Sequence, residues 1–187
     1  MAVSTPFVKG DRLYLREVRQ TDVNEDYYNW LSDPEVNQYL ETRFIPNSPQ
    51  TIAKFVERMD GNPNEILFAI CVLESDAHIG NIKIGPINWV HRYADISLLI
   101  GNKNYWGKGF ATEAIGLITR FGFQELNMNR LKASCYEGNK GSFKAFLKIG
   151  YTHEGTMRKH FFSKGQFQDG YQLGMLAEEF WQKQTEK

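Results

Sequence analysis

The chain has 187 residues, 42% of them hydrophobic, enough for one domain, 1–187, that buries a core without metal or disulfide staples. Its 22 Lys and Arg balance 22 Asp and Glu, and this net charge of zero lacks the positive field of a nucleic-acid binder. Two cysteines, Cys71 and Cys135, without Cys-x-x-Cys spacing, make no disulfide framework and are expected to stay reduced.

In chain order, residues 12 to 18 alternate as a half-buried strand does. Thr21 or Asp22 is placed to cap a helix that carries Tyr27, Trp30 and Leu31 on its apolar side. Asp33-Pro34 and Ser48-Pro49 each read as an N-cap followed by proline at the first helical position. The first opens a short helix through Val36, Tyr39 and Leu40, and the second opens one with Ile52, Phe55, Val56 and Met59 on a single face. Strands follow at 66–73, 78–84 and 93–100, with the second turn at Gly85-Pro86 and Asn88. Ala111, Ala114, Ile115, Ile118 and Phe121 then mark a helix, and 131–136 a strand. A helix with Phe143, Phe146 and Leu147 inward and late strands at 151–155 and 172–177 complete the pattern. The fold class this predicts is α/β (α+β), a mixed and mostly antiparallel sheet flanked by helices.

The four histidines fall at no spacing that pairs them as metal ligands. The amino terminus lacks the charged and apolar regions of a signal peptide, and no apolar run is long enough to cross a bilayer. A cytoplasmic protein without metal, nucleic acid or membrane is expected, as a monomer or homodimer.

The stretch Tyr105-Trp106-Gly107-Lys108-Gly109-Phe110-Ala111-Thr112 lies between a strand and a helix. A helix start there aims free N–H groups and a positive dipole end at one spot, and glycines at 107 and 109 let an anion approach the main chain. A third glycine for a dinucleotide fingerprint is missing at Thr112, and Lys108 is followed by Gly109 where a phosphate-loop motif needs Ser or Thr. A glycine-rich turn that binds nothing is the alternative.

This stretch resembles the acyl-CoA pyrophosphate loop of the GNAT N-acetyltransferase superfamily, written Q/R-x-x-G-x-G/A, with Gly109 and Ala111 at its last two small positions. Trp106 departs from the usual Gln or Arg, and a Trp-Gly-Lys-Gly-x-Ala-Thr-Glu-Ala form is similar to the Rim-type branch, which holds ribosomal-protein N-terminal acetyltransferases. A second motif, from Asn139 through Ser142, Phe146 and Gly150 to Tyr151, resembles the family's downstream helix, and the likeness spans about residues 11 to 177.

The resemblance implies a GNAT fold with a splayed strand pair at the CoA site, and acetyl transfer from acetyl-CoA to an amine by direct attack in a ternary complex. The main chain of Ile96, Leu98, Leu99 and Ile100 would hold the pantetheine and acetyl carbonyl. Trp106, Gly107, Lys108, Gly109, Phe110, Ala111 and Thr112 would hold the pyrophosphate. Where many relatives place a tyrosine this chain has Phe146, so Ser142 becomes the candidate for stabilising the leaving thiolate, or else a helix-capping serine. Asn139 either caps the helix or bonds the CoA arm. For the general base the carboxylates Asp95 and Glu154 come first, with relay through water as another route. Trp30, Tyr39, His160 and Phe162 fall where the fold recognises its acceptor, on the early helices and on a late loop at 160–170. The acceptor would be a protein N-terminus or a nucleotide-linked amino sugar, or alternatively a polyamine, for which the acidic residues Asp22, Glu25, Asp26, Asp33, Glu35 and Glu41 near the early helices would make an acidic cleft; a non-catalytic acyl-CoA-binding module is the competing class.

Overall fold

A computed structural model describes residues 5–185. The elements are β1 (Val8–Lys9), β2 (Leu13–Glu17), α1 (Glu25–Ser32), α2 (Pro34–Asn37), α3 (Pro49–Met59), β3 (Ile66–Val72), β4 (His78–Asn88) and β5 (Tyr93–Ile100). They continue as α4 (Phe110–Gln124), β6 (Arg130–Tyr136), α5 (Lys140–Ile149), β7 (Thr152–Ser163), β8 (Gln166–Leu176) and α6 (Ala177–Thr185). All strands join one sheet in the order β1-β2-β3-β4-β5-β6-β8-β7, and β5 with β6 is its parallel pair.

The sheet buries both faces because its strands carry apolar side chains on both. On one face Ile82, Ile84, Ile96 and Leu131 pack against Ala114, Ile115 and Ile118 of α4 and against Phe146 of α5. On the other, Leu99 joins Tyr27, Trp30, Val36, Ile52 and Val56 of the first three helices. Local chemistry sets the helix starts. Asp33 and Ser48 accept from the N–H groups of Glu35 and Thr51, with proline next in each case, as their sequence signature predicts.

Several expectations are corrected. Asn24, rather than Thr21 or Asp22, caps α1, its side chain accepting from the Tyr27 N–H; Asp22 is buried and ion-paired to Arg16 through both oxygens. Tyr39 and Leu40 lie beyond α2, which ends at Asn37. Gly85-Pro86 is a bulge inside β4 where the register shifts, a site that tolerates proline's missing N–H, and the strand runs on to Asn88. Leu147 is exposed, since α5 turns only its Ala145–Phe146 side inward. The late loop at 160–170 is instead the distal half of a long β7–β8 hairpin closed by Lys164 and Gly165, both with positive φ, the conformation a two-residue hairpin turn requires.

Candidate active site

The site begins where two neighbouring strands part. β5 pairs with β6 only at Tyr93, Ala94 and Asp95, while its remainder stays on β4 through Ile96, Leu98 and Ile100. Along the diverging part, alternate main-chain groups of Ile96–Ile100 face the gap instead of a neighbouring strand. Side chains alternate too: Ile96, Leu98 and Ile100 face α4, and Leu99 faces the early helices. The strand is thus anchored on both faces and open along one edge, the geometry expected for the splayed pair.

Beyond β5 the chain turns through residues 101–109 into α4. Gly107 and Gly109 have φ of 71° and 83°, a region that disfavours any residue with a Cβ. The main-chain N–H groups of residues 107 to 112 meet no acceptor among the described residues. They stand at the N-terminus of a 15-residue helix, where partial positive charge gathers. Gly107, Lys108 and Gly109 are exposed. Unpaired donors, a positive dipole end and an open approach together fit the diphosphate of a coenzyme. The Trp106 indole donates to the Ile100 carbonyl at 2.7 Å, so the residue that departs from the family motif ties the loop to the strand before it. Lys103 turns away from the loop to Asp33 and Glu35, at 2.8 and 2.9 Å.

The start of α5 supplies the second set. Asn139 is its N-cap, accepting from the Ser142 N–H at 3.2 Å. The Ser142 hydroxyl has no partner among the described residues. Phe146, one turn further on, is 2% exposed and edge-on to Tyr151 at 5.0 Å, inside the core and without a proton to give.

The two carboxylates picked out from sequence are both engaged. Asp95 lies 3.4 Å from the Lys132 ammonium, and Glu154 is paired with Arg130. Of the acceptor residues, Trp30 is buried, edge-on to His78 and packed against Gly101, where a side chain would collide with the indole. His160 and Phe162 are exposed on β7. Tyr39 does reach the open end of β6, its ring 5.6 Å from that of Tyr136.

Around Tyr136, a residue the sequence did not single out, the structure gathers Glu41, Arg43 and Phe161. The phenol donates to Glu41 Oε1 at 2.6 Å and accepts from Arg43 Nη2 at 2.9 Å. Phe161 stacks on its ring at 4.0 Å. Arg43 also donates to the carbonyls of Leu40 and Phe162, pinning the segment after α2 to β6 and β7. Burial, and then the hydrogen bond to Glu41, push the Tyr136 hydroxyl above its ordinary range, so it remains a protonated donor. These partners are about 95 residues apart in sequence, and no local pattern links them.

Two clefts flank the region. One of about 560 Å³ separates α1 and α2 from residues 101–104, and one of about 490 Å³ lies beside Glu137, Gly138 and Asp169. Neither contains the glycine loop, which is an open shelf, as suits a ligand held by main-chain donors. Among the described residues no group of three His, Cys, Asp or Glu is placed to hold a metal ion, and no helix is long and apolar enough to cross a membrane.

A family model described as an acetyltransferase (GNAT) domain matches residues 12–152, which contain β5, the glycine loop, α4 and α5. The chain is 32% identical over 176 residues to an uncharacterized N-acetyltransferase, p20, of Bacillus licheniformis, covering 91% of this chain and 96% of that one. It is 25% identical over 173 residues to the spermidine N(1)-acetyltransferase of Escherichia coli K12, covering 91% and 84%. In fold it is similar to a spermidine N-acetyltransferase from Vibrio cholerae solved with CoA and spermine, at a TM-score of 0.82 and 21% identity over 92% of this chain and 99% of that one. The matched domain and the 32% identical relative together show that this chain belongs to the GNAT acetyltransferase family and is an acetyl-CoA-dependent N-acetyltransferase.

Proposed function

We propose that the acceptor is a small aliphatic polyamine, acetylated on a primary amine that enters through the gap between β5 and β6. The observation that carries this reading is the Glu41 carboxylate, held at 2.6 Å by the Tyr136 hydroxyl beside the rings of Tyr39 and Phe161. A carboxylate with one oxygen already fixed, set among aromatic faces, suits an ammonium group at the far end of a flexible chain. Arg43 makes no ion pair with Glu41 among the described residues, its donors going instead to Tyr136, Leu40 and Phe162, so the second carboxylate oxygen stays open to an ammonium. The spermidine acetyltransferases among the relatives support the same class.

Acetyl-CoA supplies an activated acetyl group as a thioester. Chain residues do the rest. Free amides at 107 to 112 bind the diphosphate, and the open edge of Ile96–Ile100 aligns the acyl arm. The amine nitrogen attacks, its surplus proton passing to water or to Asp95 or Glu154. Ser142 donates a hydrogen bond to the departing sulfur.

Two other acceptors keep a specific observation each. The run from Trp106 to Ala114 is similar to the Rim-type form, which would favour a protein N-terminus. The Arg43 guanidinium near the gap would favour an acceptor carrying phosphate, such as a nucleotide-linked amino sugar.

Thiol release from acetyl-CoA on spermidine, on a peptide with a free N-terminus and on a nucleotide-linked amino sugar separates the three. Spermidine is expected to give a kcat/KM at least tenfold above the others. Glu41→Gln is expected to lower that value about 10- to 100-fold, the range for a lost charge-assisted hydrogen bond. A peptide or amino sugar turned over faster than spermidine would overturn the assignment.

A further inference from the structure

Arg12 is 96 residues from Lys108 in sequence, yet its Nη1 donates to the Lys108 carbonyl at 3.0 Å. Its guanidinium lies 4.4 Å over the Phe110 ring, and Nη2 is the atom nearest to where a side chain on Gly109 would start, at 3.4 Å. Glu113, in the first turn of α4, holds this arrangement. Its Oε2 accepts from Arg12 Nε at 2.8 Å, and its Oε1 accepts the main-chain N–H groups of Arg12 and Leu13 at 2.8 and 3.0 Å. The Arg12 side chain is 49% exposed, so the pair adds little to stability and its consequence is geometric.

We propose that Arg12 is a positioning residue for acetyl-CoA: it draws the Lys108 carbonyl outward and cancels the Glu113 charge, so that the diphosphate meets only donors. The inference rests on the assignment of the loop to the diphosphate. A carbonyl oxygen turned into the loop would repel a phosphate oxygen, and so would an unpaired carboxylate in the first turn of the helix. Glu113 does carry its charge. Burial pushes its carboxyl up, but the N–H groups of Arg12 and Leu13 and the Arg12 guanidinium outweigh burial and hold it below the usual range. Without Arg12 the same carboxylate would stand uncancelled beside the anion site.

The test measures CoA binding by calorimetry and the thermal midpoint for the wild-type chain, Arg12→Ala, Glu113→Gln and the double variant. Glu113→Gln removes the charge while keeping an oxygen for the Arg12 and Leu13 N–H groups. R12A is expected to bind CoA at least tenfold more weakly than wild type, and E113Q, which loses the Oε2 acceptor for Arg12 Nε but also the charge, to weaken binding by less than R12A does. The R12A/E113Q chain is expected to regain at least threefold over R12A, a recovery that a merely structural role would not produce. An R12A affinity within twofold of wild type, or a double variant no tighter than R12A, overturns the inference. Should R12A not fold, Arg12→Lys carries the test: one ammonium cannot serve Lys108 and Glu113 with the same geometry, so affinity is expected to fall at least threefold, and wild-type affinity overturns the proposal. A wild-type chain that does not bind CoA overturns the loop assignment itself, and this inference with it.

Discussion

Asn139 and Ser142 share the first turn of α5, and the hydrogen bond between them leaves one of the two free. The Asn139 oxygen accepts the Ser142 N–H at 3.2 Å and so serves the helix, while the Ser142 hydroxyl has no partner among the described residues. Ser142→Ala is therefore expected to lower kcat at least tenfold on the best amine, about the loss of an acid–base contribution, with a thermal midpoint within about two degrees of wild type. Unchanged kcat would remove Ser142 from the mechanism. Both residues stand out in the sequence through their likeness to the family's downstream motif, and the cap itself is local, with cap and capped group three positions apart. Arg12 and Tyr136 do not, and Glu41 could be named only as one of several acidic residues near the early helices. Each acts through a partner about 95 or more residues away, and nothing in a single sequence says that Arg12 lies beside Lys108 or Glu41 beside Tyr136. Trp106 is an intermediate case: its departure from the family motif is visible in the sequence, but its bond to the Ile100 carbonyl appears only once the strand end and loop are folded together.

Among the elements, those with one buried face were legible and those without were not. Ile52, Val56 and Met59 of α3 are buried at the spacing a helix predicts. The inner ends of β7 and β8 were legible as strands, but the outer half of their hairpin was not, because most side chains of β7 are exposed and carry no alternating apolar signal, and Gly155 reads as a stop. Its turn is nevertheless specific. Lys164 and Gly165 have φ of 52° and 79°, and a side chain on the second would be held in the left-handed region. Gly165→Ala is expected to destabilise the protein by about 1 kcal/mol, the usual cost of placing an L-residue there, with a matching shift of the urea midpoint. Because Phe161 of the same hairpin stacks on Tyr136, the substitution is also expected to raise KM for the amine while leaving CoA affinity within twofold. An unshifted urea midpoint would mean that the turn relaxes to another geometry.

At the scale of the whole molecule, the early helices are fastened to the sheet through a buried polar group as well as an apolar core. Arg16 grips Asp22 at 2.7 and 2.8 Å, His78 Nδ1 lies 3.8 Å from the same carboxylate, and His78 Nε2 is 2.9 Å from the Asn81 oxygen. Tyr27 and Trp30 of α1 close over the imidazole edge-on. Burial pushes the His78 pKa down, and the opposing pull of Asn81 and Asp22 does not restore it. The unfolded chain, with an imidazole near its ordinary value of about 6.5, thus takes up a proton more readily than the folded one. Stability from this residue is fully present above about pH 6.5 and drains away as the pH falls through the lower folded value. Asp22 adds to the same trend at lower pH. Burial raises its carboxyl, the hydrogen bonds from Arg16 and the Arg19 N–H outweigh that, and its folded value ends below the ordinary one of about 4. The thermal midpoint is therefore expected to stay level from pH 8 to 7, to decline below about 6.5, and to steepen below about 4. His78→Gln keeps a side chain able to bond Asn81 but cannot titrate, so it should flatten the first decline and leave the second. If wild type and this variant lose stability in parallel between pH 6.5 and 5, the imidazole is not the group that loosens the early helices from the sheet.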